Sequence, residues 1–176
     1  MAVVLVVEDG TGLETANTYQ SIADANTRLE ALFPLMGLSA TVTITATASM
    51  TAGTFNLDNR YGLRMLGTRT FSDQALEFPR VNVPKDNQRV YYYDSDELPE
   101  DLLNAHAMMC YYAENEPESL RPNLDTSGTV KRSKDQVGPL VEEREYSGGS
   151  NPYKEYTVID DYMQKLIVSG TQVRRA

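Results

Sequence analysis

The sequence contains no tryptophan, one cysteine and one histidine among its 176 residues. A single cysteine excludes an internal disulfide and provides no framework for a metal site. Cys110 follows His106 by four residues, so one helix face could carry both, but no second pair completes a metal site. The lone histidine leaves no catalytic triad, and no cation stands beside Cys110 to activate its thiol. We interpret both as core residues and predict no catalytic residue, no metal and no other cofactor.

Positive charge is also scarce, because 16 Lys and Arg residues stand against 25 Asp and Glu residues and leave a net charge of −9. Nucleic-acid binding draws on Lys and Arg that neutralise phosphates, so this balance disfavours tight binding to DNA or RNA. The most basic stretch contains Lys131, Arg132 and Lys134. We interpret it either as a solvated hairpin edge or as a contact for DNA or an acidic partner.

A long apolar run is missing as well. No charged residue occurs from Ala31 to Leu57, but Pro34, two glycines and many threonines make this stretch too polar for a membrane-spanning helix. The opening "MAVVLVVEDG" lacks the basic flank and cleavage segment of a secretory signal. We therefore expect no membrane association, and a protein that is intracellular or part of a particle assembled inside a cell.

Three segments have the apolar periodicity of an amphipathic helix. Ser21 and Asp24 stand at capping-box spacing before the first, which Pro34 is expected to end. Pro99 opens the second, with carboxylates in its first turn, and Thr157 is the expected cap of the third. The predicted helices cover residues 21–33, 99–115 and 157–168.

Strand signals are shorter. Val130–Lys134 and Leu140–Tyr146 surround a Gly138–Pro139 turn and predict a hairpin. Val3–Val7 is a continuous apolar run that predicts a short strand or an ordered arm. Residues 40–60 are ambiguous, because apolar residues alternate from Val42 to Met50 as in a strand, while the length suits a helix. From these residues alone, strand is favoured.

The predicted fold class is mainly α, a small helical bundle with a β-hairpin and extended arms. Residues 1–150 form the core with the hairpin. The stretch "SGGSNP" then separates residues 151–176, a C-terminal helix and tail that belong to the same domain or form a docking arm.

Three stretches carry a family resemblance: "LDNRYGLRMLGTRTFSDQALEFPR", "DELPEDLLNAHAMMCYYAENE" and "VKRSKDQVGPLVEEREY". Together with the opening, they resemble a family of tailed-phage proteins whose members are often described as DnaT-like single-stranded-DNA-binding proteins. The resemblance covers roughly residues 4 to 146. The chain length of the family members and the order of their sequence elements are similar to those of head–tail connector, or adaptor, proteins of phage necks.

The resemblance implies that residues 40–60 form a helix ending at Leu57–Tyr61, and we follow it over the local alternation. The sequence departs from the family there, since threonine and alanine replace the usual charged helix formers. Phe78 also stands where tryptophan is usual, which is a conservative change.

The stretch "GTRTFSDQALEFPR", Gly67–Arg80, has no regular period, yet we expect it to be ordered. In one interpretation it clamps its own core, with Leu76 and Phe78 inserted and Arg69 and Arg80 capping helix ends or pairing with acids. In the other it lies on the next subunit of a ring. The candidate subunit-interface residues are Arg69, Gln74, Leu76, Phe78 and Arg80.

The resemblance implies a structural virion protein rather than an enzyme, a connector subunit in the phage neck that is assembled in the host cytoplasm. Implied partners are the portal protein, other neck or tail proteins, further copies in a twelve-fold ring, and packaged DNA that passes through without specific binding. The tail is the candidate portal-binding segment: Thr171, Gln172, Val173, Arg174 and Arg175. The alternative function is DnaT-like binding of single-stranded DNA.

Overall fold

The computed structural model describes residues 3–37, 43–85, 90–120, 132–137, 140–145 and 156–168. Helices predominate, as predicted, and the strands form two small antiparallel pairs. The helices are α1 (Ile22–Leu35), α2 (Thr47–Tyr61), α3 (Glu100–Asn115), α4 (Pro117–Leu120) and α5 (Thr157–Met163), and a short 3-10 turn, Gly62–Arg64, follows α2. The strands are β1 (Thr68–Arg69), β2 (Arg80–Val81), β3 (Arg132–Val137) and β4 (Leu140–Glu145).

Helix α3 is the centre of the fold, and α1, α2 and α5 pack around it. Its N-terminus was predicted within one residue, although Pro99 takes the N-cap position rather than the first helical turn. The apolar stripe predicted for this helix is buried except for Leu103, which is partly buried, and Ala107 and Met108 beside it are buried too. The predicted stripe consists of Leu102, Leu103, His106, Met109, Cys110 and Ala113. A helix that is apolar nearly all round requires neighbours on several sides, which the three surrounding helices provide.

Helix α1 begins as predicted, because the Ser21 side chain accepts the backbone N–H of Asp24. Pro34 does not end it. The proline lies in the last turn, where it removes one backbone donor, and the helix continues to Leu35. Met36 is the C-cap, and Gly37 after it has a positive φ.

The structure has a helix where the local alternation favoured a strand. Helix α2 begins at Thr47, later than expected, and ends at Tyr61 as the family resemblance implied. Met50, Leu57 and Tyr61 form a buried face against α3, so tertiary packing outweighs the strand preference of the threonines. Thr54 also satisfies its hydroxyl within the helix by donating to the Met50 carbonyl, at 2.9 Å.

Helix α5 is shorter than the predicted 157–168. After Met163 the chain turns, and Ile167 forms an antiparallel bridge with Met65. Backbone hydrogen bonds from Leu66 to the Leu166 carbonyl and from Val168 to the Arg64 carbonyl hold this return. Four residues of the segment 156–168 are buried in the common core, Tyr156, Ile159, Met163 and Leu166. Residues 156–168 thus pack on the chain's own body.

The hairpin is confirmed, with Arg132 opposite Glu145 and Lys134 opposite Glu143 in register. Lys131 lies outside the described residues. Val3–Val7 is extended and joined to the body at Thr18 by one parallel bridge. None of the helices in the described part of the chain has the length and apolarity that a membrane crossing requires.

Candidate functional site

The irregular stretch Gly67–Arg80 is held by its own side chains. The buried Gln74 carboxamide accepts the Phe71 N–H at 2.9 Å and donates to the carbonyls of Leu76 at 2.8 Å and Pro79 at 3.0 Å. Backbone groups that lack a helical or strand partner are therefore satisfied by a side chain. The sequence marked Gln74 as a candidate contact but did not indicate this role.

Arg80 extends the same arrangement to the chain segment after α2. Its guanidinium donates to the carbonyls of Leu66 at 2.9 Å and Gly67 at 3.0 Å, and its Nη1 lies 2.7 Å from the Glu77 carboxylate. It also reaches the carbonyls of Met65 and Glu77. One buried cation thus fixes the loop 65–67 to the stretch that follows.

The five candidate interface residues differ in their exposure to solvent. Gln74, Leu76, Phe78 and Arg80 are buried in the chain itself. Burial of Leu76 and Phe78 and the ion pair of Arg80 with Glu77 agree with the own-core interpretation, which did not include Gln74. Arg69 is exposed on β1, directly opposite Arg80 in the β1–β2 register, and contact of Arg69 with another subunit stays a prediction.

A shallow cleft lies between α2 and residues 75–77. It has a volume of about 390 Å³, and its lining includes Phe55, Leu76, Asp58 and Glu77. Tyr19 donates to Asp58 at 2.6 Å, and the Glu77 N–H donates to the other carboxylate oxygen at 3.2 Å. Burial raises the pKa of Asp58 to about 6. Two carboxyl groups make this cleft unsuited to a phosphate backbone.

A second polar cluster surrounds the histidine and is fully enclosed. Gln20 donates its amide N–H to the Leu103 carbonyl at 2.9 Å, and the same nitrogen lies 3.0 Å from His106 Nδ1. Since Nδ1 then accepts, the ring proton belongs on Nε2, which lies 2.8 Å from the Thr54 hydroxyl. Cys110 Sγ lies 3.3 Å from Nε2, and burial raises the pKa of its thiol. The cluster is neutral and has no exposed nucleophile.

Titration of His106 and titration of Asp58 should change the free energy of unfolding in opposite directions. Burial lowers the pKa of His106 from its ordinary 6.5 to about 3, so between these values acid protonates the unfolded chain and destabilises the fold, by about 1.4 kcal/mol per pH unit. The pKa of Asp58 is raised from 3.8 to about 6, so in that window acid protonates the folded chain and stabilises it.

In the wild type the effects of His106 and Asp58 should nearly cancel, so together they should change the free energy of unfolding little from pH 6 to pH 4. His106→Gln removes the destabilisation by acid that the histidine causes. The stability of this variant relative to the wild type should therefore improve as the pH falls from 6.5. Urea unfolding of both proteins from pH 7.5 to 4 measures this. A stability difference that does not vary with pH would contradict the neutral, buried histidine.

The basic side chains that the structure describes are largely engaged with the protein itself. Lys85 pairs with Glu97 at 2.9 Å, and Lys165 pairs with Asp101 at 3.0 Å. The guanidiniums of Arg60 and Arg64 lie over the Tyr61 ring, 5.8 and 5.6 Å from its centroid. On the hairpin, Arg132 and Lys134 each stand opposite a glutamate in register. The register thus places a glutamate opposite two of the three residues that formed the sequence signal for DNA contact, Arg132 and Lys134.

Large apolar side chains, in contrast, are exposed in several places. Leu63 is fully exposed at 104%, and Val4 is 77% exposed. The others are Val3, Val7, Leu35, Phe55, Phe71, Val90, Tyr91 and Tyr92. Single exposed apolar residues are common on protein surfaces, but neighbouring ones mark contact surfaces. Val3–Val4 and Val90–Tyr92 are two such groups.

Within the described residues, no group of three or more His, Cys, Asp or Glu side chains is arranged to hold a metal ion. The candidate portal-binding residues 171–175 lie outside the described residues, so the structure does not place them.

Comparison with known proteins gives one match. The family model described as "Putative DnaT-like ssDNA binding protein" matches residues 3–176. No curated protein and no solved structure matches the chain.

Proposed function

The chain belongs to this DnaT-like family, and we propose that it is a head–tail connector subunit of a phage neck. In this function it forms a ring beneath the portal, continues the DNA channel and joins head to tail. It acts as a structural virion protein without catalysis or a cofactor, and it assembles in the host cytoplasm.

One contrast in the surface carries the proposal. Lys85 and Lys165 are paired with acids and Arg64 is stacked on a tyrosine, whereas apolar side chains such as Leu63 and Val4 are exposed. Protein interfaces take up exposed apolar and aromatic groups. Phosphates require unpaired Lys and Arg. The surface therefore suits contact with proteins better than contact with nucleic acid, and the net charge of −9 allows packaged DNA to pass without adhering.

The proposed partners are the portal, other neck or tail proteins, and further copies of the chain in a ring that the resemblance implies to be twelve-fold. Arg69 is the candidate for contact between subunits, because it is exposed beside the rigid stretch that Arg80 fixes. Residues Thr171–Arg175 are the candidate for gripping the portal, since the guanidiniums of Arg174 and Arg175 offer planar donors to acidic groups.

Deleting residues 170–176 should abolish binding to purified portal rings and leave the fold unchanged, because the truncated chain keeps the buried residues Ile159, Met163 and Leu166. Co-sedimentation with portal rings measures binding, and the thermal midpoint checks the fold. A control carrying Arg28→Gln should bind like the wild type. Unchanged portal binding by the truncated protein would show that the gripping surface lies elsewhere.

The family description favours a second candidate, binding of single-stranded DNA. Such proteins combine a basic groove with aromatic platforms, and here the candidates are Arg132 and Lys134 of the hairpin with the exposed Tyr91 and Tyr92. Fluorescence anisotropy with a labelled oligonucleotide tests it, with the double variant Arg132→Gln/Lys134→Gln as control. Submicromolar binding at physiological salt that this variant loses would favour DNA binding over the connector function.

A further inference from the structure

The N-terminal segment Val3–Val7 has one paired and one unpaired edge. On the paired edge, Asn17 donates its backbone N–H to the Val6 carbonyl at 2.9 Å, and Glu8 donates its own to the Thr18 carbonyl at 2.9 Å. Successive residues of an extended segment point their backbone groups to opposite sides. The N–H and C=O groups of Leu5 and Val7 therefore face away, and they make no hydrogen bond to any described residue.

The segment Val3–Val7 is held in place by the side chains of Glu8, which follows it, and of Asn17. The buried Glu8 carboxylate accepts the N–H groups of Gly10 at 3.0 Å, Gly12 at 2.8 Å and Leu13 at 3.0 Å. The Asn17 side chain adds bonds to the Val6 N–H and the Val4 carbonyl, at 2.9 and 2.8 Å. These bonds thus hold the segment so that its outer edge can pair with another strand.

The outer edge also lacks the usual protection against pairing. Natural edge strands carry charged residues or proline, but this segment reads Val-Val-Leu-Val-Val. Val3, Val4 and Val7 are 41%, 77% and 36% exposed. A partner must therefore bring both an unpaired strand edge and apolar side chains.

The β3–β4 hairpin has both properties. Among the described residues it forms a sheet of two strands, and such hairpins are marginally stable in water without a further strand or packing partner. Its charged residues lie toward the end with Arg132 and Glu145, and the apolar residues Val137, Leu140 and Val141 lie toward the opposite end of the ladder. The hairpin does not pair with Val3–Val7 of its own chain.

We propose that the outer edge of Val3–Val7 in one copy pairs with the apolar end of the β3–β4 hairpin in the next copy. This inference rests on the proposed ring, since it identifies the contact between neighbours. The two surfaces differ, so the contact is head-to-tail, and a contact of this kind repeats around a closed ring.

Val7→Pro tests the backbone pairing, because it removes an N–H that bonds to nothing in the described single chain. Val7→Thr is the matched control, since it keeps both the N–H and the β-branched shape. By mass photometry in the presence of portal rings, we expect Val7→Pro to lose ring assembly and Val7→Thr to keep it. Rings of Val7→Pro at wild-type yield would overturn the inference and leave the connector function intact.

If Val7→Pro fails to fold, disulfide trapping tests the contact between the segment Val3–Val7 and the hairpin of the next copy. Val7→Cys and Leu140→Cys proteins are mixed, assembled on portal rings and oxidised, with Val7→Cys and Glu30→Cys as the control mixture. A cross-linked pair of chains is expected only from the first mixture. Assembled rings without this cross-link would overturn the inference, as would a bond formed within one chain that carries both cysteines. Failure of the wild type itself to assemble would instead contradict the proposed function.

Discussion

Replacing Arg80 with methionine is expected to lower the free energy of unfolding by about 3 kcal/mol or more. The guanidinium donates to the carbonyl groups of Leu66 and Gly67, which precede β1, and it pairs with the carboxylate of Glu77, which precedes β2. Methionine fills a similar volume but leaves these buried acceptors without a donor. Lysine should rescue only part of the loss, because one ammonium cannot reproduce the fork of a guanidinium.

Arg69→Met is the matched control for Arg80→Met. Arg69 stands opposite Arg80 in the same register but is exposed, so its replacement should change stability by no more than about 0.5 kcal/mol. Urea unfolding of the wild type and both variants measures the difference. Equal losses for the two variants would contradict the assignment of Arg80 as the residue that fixes this stretch.

Adding a side chain at Gly53 is the second change with a large expected effect. A Cβ atom at this position would lie 2.5 Å from Cys110 Sγ and 2.8 Å from the Cys110 Cα and backbone nitrogen. Because two of these atoms are backbone, α3 itself would have to move away from α2. We expect Gly53→Ala to cost about 1–3 kcal/mol, despite a gain of up to about 1 kcal/mol in helix propensity.

Gly53→Val should cost more than Gly53→Ala, because the larger side chain widens the separation of α2 from α3. Asn59→Ala, on the exposed side of α2, serves as the control and should be nearly neutral. Thermal unfolding followed by circular dichroism measures all three. A Gly53→Ala protein as stable as the wild type would show that the two helices do not approach this closely.

Much of the fold could be predicted because its signals are local. The Ser21 cap and the Pro99 start marked α1 and α3 almost to the residue. Helix α2 could not be derived locally, because its buried face is determined by packing on α3. The end of α5 was missed since the chain turns there to pair with residues 64–66, far away in sequence.

The candidate site was predicted in part. Insertion of Leu76 and Phe78 into the chain's own core was one of two interpretations of their apolar, irregular stretch, and the structure buries both. The bond from Tyr19 to Asp58 joins residues 39 apart, and no local pattern indicates such a partner. Val3–Val7 was predicted to be a short strand or an ordered arm, but its pairing could not be predicted, because edge pairing depends on which neighbours the fold supplies.

The most direct test of the connector function is electron microscopy of the purified protein mixed with purified portal rings. The connector function predicts a closed ring of copies stacked coaxially beneath the portal, with the channel continuous through both. Portal rings that remain bare at saturating protein, while the same protein coats single-stranded DNA at physiological salt, would contradict it.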